Sequence, residues 1–181
     1  MEKSTPESRP EPLDVAAIRS GIADLRLGTP LLYVPAIGST STRVIELARE
    51  GAPAGLMVIT DEQTSGRGRI GRSWKSLPGK QLEFSLLLKP EFPPHLLVMA
   101  SAVAVACAIE EVAGIPADIK WPNDVLVDSG YKVSGILTET TSDFVVLGIG
   151  VNVNGRLSDD PVLATVATTL AAVVGRPLWA V

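Results

Sequence analysis

DIKWPNDVLVDSGYKVSGILTETTSDFVVLGIGVNV, residues 118–153, is the stretch that decides the fold. Turn-forming residues at Pro122 and around Gly130 separate its first three runs of strand-forming residues. Short strands joined by tight turns form hairpins, and the strands of a hairpin pair antiparallel. The stretch therefore predicts a largely antiparallel sheet with strands at 118–121, 125–127, 132–140 and 144–153.

Helices and further strands surround this stretch. The longest apolar run, LLVMASAVAVACAI at 96–109, is shorter than the roughly 20 residues that a membrane span needs. We therefore interpret residues 94–113 as a central core helix in which Cys107 is a small buried side chain. The other predicted elements are helices at 13–27, 42–50 and 162–174 and strands at 31–37, 56–61 and 82–89. Helices flanking a mixed, largely antiparallel sheet make an α+β domain.

The composition of the 181 residues favours one domain after a short leader. Residues 1–12 hold three prolines and few apolar side chains, so we predict a disordered leader there and a single domain over 13–181. No apolar stretch near the start resembles a secretory signal, and a single cysteine permits no internal disulfide. We expect a cytoplasmic protein. The only histidine, His95, lies beside two prolines at a helix start, which disfavours a Ser/His/Asp mechanism.

The loop after the strand at 56–61 has the composition of an anion site. Residues 63–74, which we call the arginine loop, read QTSGRGRIGRSW and contain three glycines and three arginines. Glycine lets backbone N–H groups approach a ligand closely, and arginine binds oxyanions through two parallel hydrogen bonds. The positive charge is local, because the whole chain has a net charge of -4, and aromatic residues make up only 4% of it. A small anionic ligand is therefore favoured over nucleic acid.

Gly66, Gly68 and Gly71 also form the GxGxxG spacing of dinucleotide-binding folds. That fingerprint requires an apolar helix that opens at the last glycine. Residues 72–79, RSWKSLPG, are instead polar and rich in turn formers. We therefore disfavour a dinucleotide fold. A solvated loop without function is also disfavoured, because such loops rarely combine this much glycine with this much arginine.

Four other segments carry candidate functional groups. IKWPND at 119–124 places a cation, an indole, a carboxamide and a carboxylate around a proline. In YKVSGIL at 131–137, Lys132 suits a phosphate or carboxylate, and Gly135 inside a strand marks a bulge or the close approach of a ligand. Each residue alone has an ordinary structural explanation, but the combination favours a binding site. The remaining two segments are GIGVNVN at 148–154 and the hydroxyl turn at 39–41.

Taken in order, five segments resemble the catalytic domain of biotin protein ligases: GSTS, QTSGRGRIGRSW, KWPND, YKVSGILTE and GIGVNVN. The resemblance runs from residue 39 to residue 169. It implies the fold shared by class II aminoacyl-tRNA synthetases, biotin synthetases and lipoate ligases. It also implies an enzyme that uses ATP and Mg²⁺ to make biotinyl-5'-AMP and passes biotin to a lysine of a biotin carboxyl carrier domain.

The resemblance implies a role for each matching residue. Lys132 and Arg67 stabilise the charge of adenylate formation, and Asp124 orients the carrier lysine and accepts its proton. The residues expected at biotin are Ser39, Thr40, Ser41, Gln63, Gly66, Arg67, Gly68, Arg69, Lys132 and Gly135. Those expected at the nucleotide are Arg67, Arg69, Arg72, Trp74, Lys120, Asn123, Asp124 and Asn152, and the ligands of the metal are not predicted. We also expect the arginine loop to be mobile in the free protein and to order over the ligand.

The sequence departs from the family pattern at several positions, among them Gly38, Gln81 and Glu83. Glu83 stands where the family favours an aromatic residue, and we expect its carboxylate to weaken nucleotide binding. Family members also continue after the segment that resembles 164–178 into further helices and an SH3-like β-barrel. Before residue 13 there is no room for the helix-turn-helix of some members, so DNA binding is not predicted. We expect exposed apolar surface near the end of the chain to favour a homodimer, aggregation or the binding of a partner chain.

Three functions are compatible with these observations. The first is the ligase itself, reduced to a catalytic domain that is short at its C-terminal end. The second is a truncated module that binds biotin or its adenylate with little transfer activity. The third is a lipoate or octanoate transferase of the same superfamily. The three arginines of the arginine loop, with Ser39, Thr40 and Gln63 for a polar ureido head, favour the ligase over the transferase.

Overall fold

The computed structural model describes residues 12–128, 130–155, 157 and 161–178. The strands are β1 (Leu31–Ile37), β2 (Met57–Gln63), β3 (Gln81–Leu88), β4 (Asp118–Lys120), β5 (Asp124–Val127), β6 (Tyr131–Thr140) and β7 (Val145–Asn152). The helices are α1 (Val15–Gly21), α2 (Thr40–Arg49), α3 (Pro94–Ala113), α4 (Pro161–Ala164) and α5 (Leu170–Val174). The leader predicted at 1–12 lies, apart from Pro12, outside the described residues.

Within the described part, seven strands form one sheet in the order β1-β2-β3-β7-β6-β5-β4. β1 and β2 pair in parallel, and the other five neighbouring pairs run antiparallel. The predicted mixed, largely antiparallel sheet flanked by helices is therefore confirmed. The meander from β4 to β7 is the stretch 118–153, whose tight turns dictate this pairing.

The two faces of the sheet differ because successive side chains of a strand point to opposite sides. On one face, which we call the α2 face, Val58 and Leu87 pack with Val44 of α2. On the other, which we call the α3 face, Ile59 and Leu86 join the main core with α3. Ser39 caps the start of α2, where its Oγ accepts a 3.5 Å hydrogen bond from the Thr42 N–H. The hydroxyl turn thus sits at the edge of the α2 face.

The helix α3 has the predicted bounds but is not central to the core. One side of it is buried, at Ala102, Ala106 and Ile109. The opposite side is exposed, and Val103 there keeps 52% of its surface accessible. Cys107 is also exposed, so the prediction of a buried thiol is wrong. By length and composition alone α3 is apolar enough to cross a membrane.

An apolar groove of about 610 Å³ runs between α3 and the sheet. Leu82, Phe84 and Val151 of the sheet form its floor, and Val105 of α3 lines its wall. Leu178, the last described residue, also lines the groove and is buried there. The α3 face therefore combines a packed core with an open apolar surface.

Two predicted helices are shorter than expected. The first ends at Gly21 instead of continuing to residue 27. The last is divided into α4 and α5, because residues 165–169 run beside the start of β6. There the Lys132 N–H donates to the Val166 carbonyl at 2.9 Å, and the Thr168 N–H donates to the Lys132 carbonyl at 3.0 Å. Thr169 then caps α5, since its side chain accepts the Ala172 N–H.

Candidate active site

The arginine loop folds as a small hairpin over the α2 face. Arg67 and Ser73 form an antiparallel bridge, and the Trp74 N–H donates to the Gly66 carbonyl at 2.9 Å. The tip of the hairpin turns at Ile70, whose φ is 56° and which is 86% exposed. A residue outside glycine tolerates that left-handed region only at a cost, so the tip is a strained, solvent-facing turn. The hairpin places its arginine side chains above the sheet.

Beneath the hairpin lies a cavity of about 420 Å³. Of the 16 residues predicted for the site, 14 line this cavity, although they come from positions 39 to 135 of the chain. They are Ser39, Thr40, Ser41, Gln63, Arg67, Gly68, Arg69, Arg72, Trp74, Lys120, Asn123, Asp124, Lys132 and Gly135. The topology explains the convergence, because β5 and β6 are neighbours in the sheet and the arginine loop, which follows β2, reaches across to contact Glu139 of β6 and Asn123 before β5.

A cluster of hydroxyls and one carboxamide forms one part of the cavity wall. Gln63 Oε1 accepts hydrogen bonds from the Thr40 N–H at 2.9 Å and from Thr40 Oγ1 at 3.1 Å. Ser85 Oγ lies 2.8 Å from Thr40 Oγ1 and 2.9 Å from Ser41 Oγ. Thr40, Ser41 and Ser85 are buried. These groups are fixed donors and acceptors that suit a small polar head such as a ureido group.

Two glycines in the strands below allow the Trp74 ring to lie directly on the sheet. A Cβ on Gly150 would come within 2.6 Å of Trp74 Cζ2, and one on Gly135 within 3.0 Å of Trp74 Cζ3. Gly148 makes room in the same way for Ser41 Oγ, which lies 2.8 Å from where its Cβ would be. Side chains of the protein itself thus occupy the space above these glycines, and the expected close approach of a ligand to them stays a prediction.

Lys132 and Asp124 form an ion pair at one end of the cavity. Lys132 Nζ lies 2.6 Å from Asp124 Oδ1 and 5.8 Å from the centre of the Trp74 ring. The backbone of Lys132 is fixed by its two hydrogen bonds to residues 166 and 168. Both side chains are partly exposed to the cavity. A cation on a fixed backbone, facing a cavity and paired with a carboxylate, is suited to exchange that partner for an anionic ligand.

The hairpin arginines are held by the far side of the cavity. Arg67 Nη2 lies 2.7 Å from Glu139 Oε2, and Arg69 Nη1 donates to Asn123 Oδ1 at 3.1 Å. Asn123 is itself fixed, because its Nδ2 donates to the Ile136 carbonyl at 3.1 Å. The arginine loop thus spans the cavity as a bridge whose contacts at the far end are polar and partly exposed.

Two predicted residues lie outside the cavity wall. Gly66 supports the hairpin, since a Cβ there would meet the Trp74 carbonyl oxygen at 2.7 Å. Asn152 is buried, with its Oδ1 accepting from Gln81 Nε2 at 2.8 Å and its Nδ2 donating to the Thr168 carbonyl at 3.1 Å. The expected contacts of Gly66 with biotin and of Asn152 with adenine stay predictions.

Some lining residues were not predicted from the sequence. Ser85 completes the hydroxyl cluster, and Gly148 and Gly150 form the floor under Ser41 and Trp74. A signal for Ser85 was present, because Gln81, Glu83 and Ser85 are polar at every second position of an otherwise apolar strand. Such alternation marks a strand with a polar face. The two glycines belong to the segment GIGVNVN, in which the resemblance implies a ligand contact for Asn152 alone.

No group of three or more His, Cys, Asp or Glu side chains is placed to hold a metal ion in the described part of the chain. Asp124 is the carboxylate among the residues that line the cavity, and it is paired with Lys132. A divalent cation bound by protein ligands alone needs several oxygen donors. The donor set of this cavity therefore does not fit a resident magnesium site.

The fold and the cavity define a class of protein. Residues 33–154, more than half of the chain, match the model of the Biotin/lipoate A/B protein ligase family. The chain belongs to this family. A solved structure of similar fold is the biotin protein ligase from Aquifex aeolicus in complex with biotin and ATP, with a TM-score of 0.74 and 38% identity. That match covers 82% of this chain and 62% of the Aquifex chain.

Among individual proteins, the bifunctional ligase/repressor BirA of Bacillus subtilis is 42% identical over 180 residues. This match covers 94% of the chain and 55% of the relative. The biotin–[acetyl-CoA-carboxylase] ligase of Mycobacterium tuberculosis is 36% identical over 151 residues, which are 78% of the chain and 56% of the relative. The chain thus spans about half the length of these curated relatives.

Proposed function

We propose that the chain catalyses the biotin–carrier protein ligase reaction. In this reaction biotin and ATP form biotinyl-5'-AMP and pyrophosphate, and biotin is then passed to a lysine of a biotin carboxyl carrier domain. The observation that carries the proposal is the cavity itself, which joins the hydroxyl cluster around Thr40 and Gln63 to the cations Lys132, Arg67 and Arg69. The similarity to a ligase solved with biotin and ATP supports the same assignment.

The first half-reaction needs positive charge at a fixed place. The biotin carboxylate attacks the α-phosphate of ATP, so two anions approach each other and charge accumulates on the oxygens of the transition state. Lys132 is at the boundary between the two ligands, where its Nζ can leave Asp124 for the phosphate oxygens. Once Lys132 has exchanged its partner on binding, its charge is in place before the transition state forms and can stabilise it. Lys132 and Arg67 are the catalytic cations in this proposal, and Arg69 assists them.

The two ligands divide the cavity between them. The ureido head of biotin binds the cluster of Thr40, Gln63 and their neighbours, whose buried donors and acceptors match its polar groups. The nucleotide lies at the end formed by Trp74, Lys120 and Asn123, under the hairpin. This arrangement brings the biotin carboxylate and the α-phosphate together near Lys132.

Mg²⁺ is assigned to the nucleotide and not to the protein. Mg²⁺ is commonly held by substrate phosphates, waters and one or two carboxylates. The cavity offers the single, already paired carboxylate of Asp124. The ion would therefore arrive with the phosphates of ATP, and no step of the mechanism assigns it a ligand from the protein.

In the second half-reaction the carrier lysine must be neutral to attack. Once Lys132 has turned to the phosphate, Asp124 is released from its ion pair and can orient the incoming amine and accept its proton. Asp124→Asn should therefore slow biotin transfer from preformed biotinyl-5'-AMP to the carrier by about 10²–10⁴-fold. Full transfer activity in this variant, measured with labelled adenylate, would remove Asp124 from the proposed role.

Two alternatives make different predictions for one experiment. The chain is incubated with labelled biotin, MgATP and a carrier domain, and pyrophosphate release and carrier labelling are followed separately. The ligase gives both signals. A module that binds the adenylate without efficient transfer gives pyrophosphate without carrier labelling. A lipoate or octanoate transferase gives neither signal but transfers an octanoyl group to its carrier.

The partner and the location follow from this proposal. The macromolecular partner is the biotin carboxyl carrier domain of a biotin-dependent carboxylase, with no role for nucleic acid or a membrane. A cytoplasmic location fits such a partner and the single cysteine of the chain. The homodimer stays a prediction, for which the open apolar groove beside α3 offers a surface.

A further inference from the structure

The proposed mechanism leaves one buried carboxyl group unused. Glu83 lies in the middle of β3 on the α2 face and is 0% exposed. It does not belong to the residues that line the cavity. A buried carboxylate is costly unless donors surround it, so its surroundings should show what it holds in place.

One oxygen of Glu83 is connected through Ser76, which follows the arginine loop, to the first residue of that loop. Glu83 Oε2 accepts a hydrogen bond from Ser76 Oγ at 2.6 Å. Ser76 Oγ in turn accepts the Gln63 N–H at 3.1 Å. Gln63 begins the loop and also accepts the two hydrogen bonds from Thr40. Through these contacts Glu83 links the base of the loop to the hydroxyl cluster.

The other oxygen of Glu83 and the Trp74 indole nitrogen are both left without a partner. Glu83 Oε1 and Trp74 Nε1 are both buried, and neither makes a hydrogen bond of standard geometry. One is an acceptor and the other a donor, and Trp74 Cε2, which is bonded to Nε1, lies 2.7 Å from where a Cβ of Gly150 would be, directly across from Glu83. Burial raises the pKa of Glu83, whereas hydrogen-bonding interactions with Ser76, Gln63 and Trp74 act in the opposite direction. Trp74 is thus near enough to influence the carboxyl group, although its Nε1 is unpaired in the free protein.

The Trp74 ring is held from below by the strand backbones. Gly150 pairs with Glu83 across β3 and β7, and the ring lies where the Cβ atoms of Gly135 and Gly150 would be. We call this place, formed by Gly135, Gly150 and Glu83, the indole seat. The ring fills the seat closely, and the Nε1 group can be satisfied there by Glu83.

We propose that Glu83 is a positioning residue that fixes the Trp74 indole in its seat and thereby sets the wall of the cavity at the nucleotide end. This inference rests on the proposed ligase function for its kinetic consequences, but the seat itself is a property of the free protein. It also gives Glu83 a different part from the one expected from the sequence, in which its carboxylate weakens nucleotide binding. Glu83 acts through Trp74 and the loop, without contacting the ligand.

Two substitutions test the seat, with one matched control. Glu83→Gln keeps an acceptor for the indole N–H, whereas Glu83→Leu fills the space and removes it. Glu111→Gln removes a carboxylate from the exposed side of α3 and serves as the control. In spectra of the ligand-free protein, Glu83→Leu should move the indole N–H proton signal of Trp74 upfield, Glu83→Gln should move it less, and Glu111→Gln should leave it unchanged. The signal is assigned by its loss in Trp74→Phe.

The kinetic readout separates positioning from catalysis. A contact that binds the substrate equally well in the ground state and in the transition state affects KM, and its loss raises KM with little change in kcat. We expect Glu83→Leu to raise the KM for ATP about tenfold, at an energetic cost of about 1.4 kcal/mol. Glu83→Gln should restore most of the affinity. In a Trp74→Phe background, Glu83→Leu should add less than about twofold, because its effect depends on the indole.

The spectra and the kinetics each can overturn the proposed role of Glu83. An unchanged Trp74 signal in both Glu83 variants, or an undiminished effect of Glu83→Leu in the Trp74→Phe background, overturns it. If Glu83→Leu does not fold, Glu83→Gln is used alone. Its thermal unfolding shows that it is folded, and an unchanged Trp74 signal in it then overturns the inference. Absence of pyrophosphate release from the unsubstituted chain would reject the ligase function and leave the spectral test of the seat valid.

Discussion

The two faces of the sheet are stabilised by different interactions. On the α2 face, polar groups such as Thr40, Ser85 and Glu83 are buried and tied to specific partners. On the α3 face, the packing is mainly between apolar side chains, and the groove of about 610 Å³ remains open. A hydrogen-bonded side chain cannot be replaced without leaving its partner unsatisfied, whereas apolar packing can rearrange around a substitution at a cost in free energy. Substitutions on the α2 face should therefore change binding and catalysis, and those on the α3 face should change stability.

The largest effect is expected at Lys132. Lys132→Met keeps the length of the side chain and removes its charge, so adenylate formation should slow by about 10²–10³-fold. The measurement is biotin-dependent pyrophosphate release at saturating ATP. Lys89→Met, which removes a cation beyond the end of β3, is the control and should retain the rate. A Lys132→Met rate within tenfold of the unsubstituted chain would contradict the catalytic role.

On the α3 face, a substitution should lower stability and leave biotin binding unchanged. Ile109 is 4% exposed and packs in the main core, so Ile109→Ala should lower the free energy of unfolding by about 2–5 kcal/mol. Val103→Ala, on the exposed side of the same helix, should cost far less. Denaturant unfolding measures both variants. Biotin affinity of folded Ile109→Ala should stay within about twofold, and a large loss of affinity would show that the two faces are coupled.

The sequence predicts the strands well because their signals are local. Every strand lies within two residues of its expected bounds, since alternation and turn formers act over a few positions. The exposed side of α3 was not predictable, because the helix is apolar on all sides and its sequence does not identify the side that faces the sheet. The division of the last helix depends on a backbone contact with Lys132, more than 30 residues earlier.

The site was predictable in its residues but not in their partners. Fourteen residues of the cavity follow from motifs that combine charge, glycine and hydroxyl groups. The pairs Arg67 with Glu139 and Arg69 with Asn123 join positions 72 and 54 residues apart, and no local pattern indicates them. For Glu83, the alternation of β3 gives the face, while its burial follows only from the loop that folds over it.

A smaller effect is expected for the hydroxyl cluster. Thr40→Val removes Oγ1 and leaves Gln63 Oε1 and Ser85 Oγ with one partner fewer. Loss of a buried partner costs about 1–3 kcal/mol, which corresponds to roughly a 5- to 150-fold loss of biotin affinity. Titration calorimetry measures the affinity, and Thr42→Val, at an exposed position in the same helix, is the control. Equal biotin affinities of the two variants would show that the hydroxyl cluster does not recognise biotin.

The smallest effect is expected where the α2 face meets solvent. Arg67 and Glu139 are partly exposed, and pairs of this kind contribute about 0.2–1 kcal/mol. Glu139→Gln should free the Arg67 guanidinium for an anionic ligand, so the affinity for biotinyl-5'-AMP should rise by at most about fivefold. Amide hydrogen exchange of residues 63–80 should become faster in the free protein and return to the unsubstituted rate when ligand is bound. Weaker adenylate binding in Glu139→Gln would mean instead that the ion pair preorganises Arg67. The exposed rim of the cavity would then depend on specific polar partners, as its buried wall does.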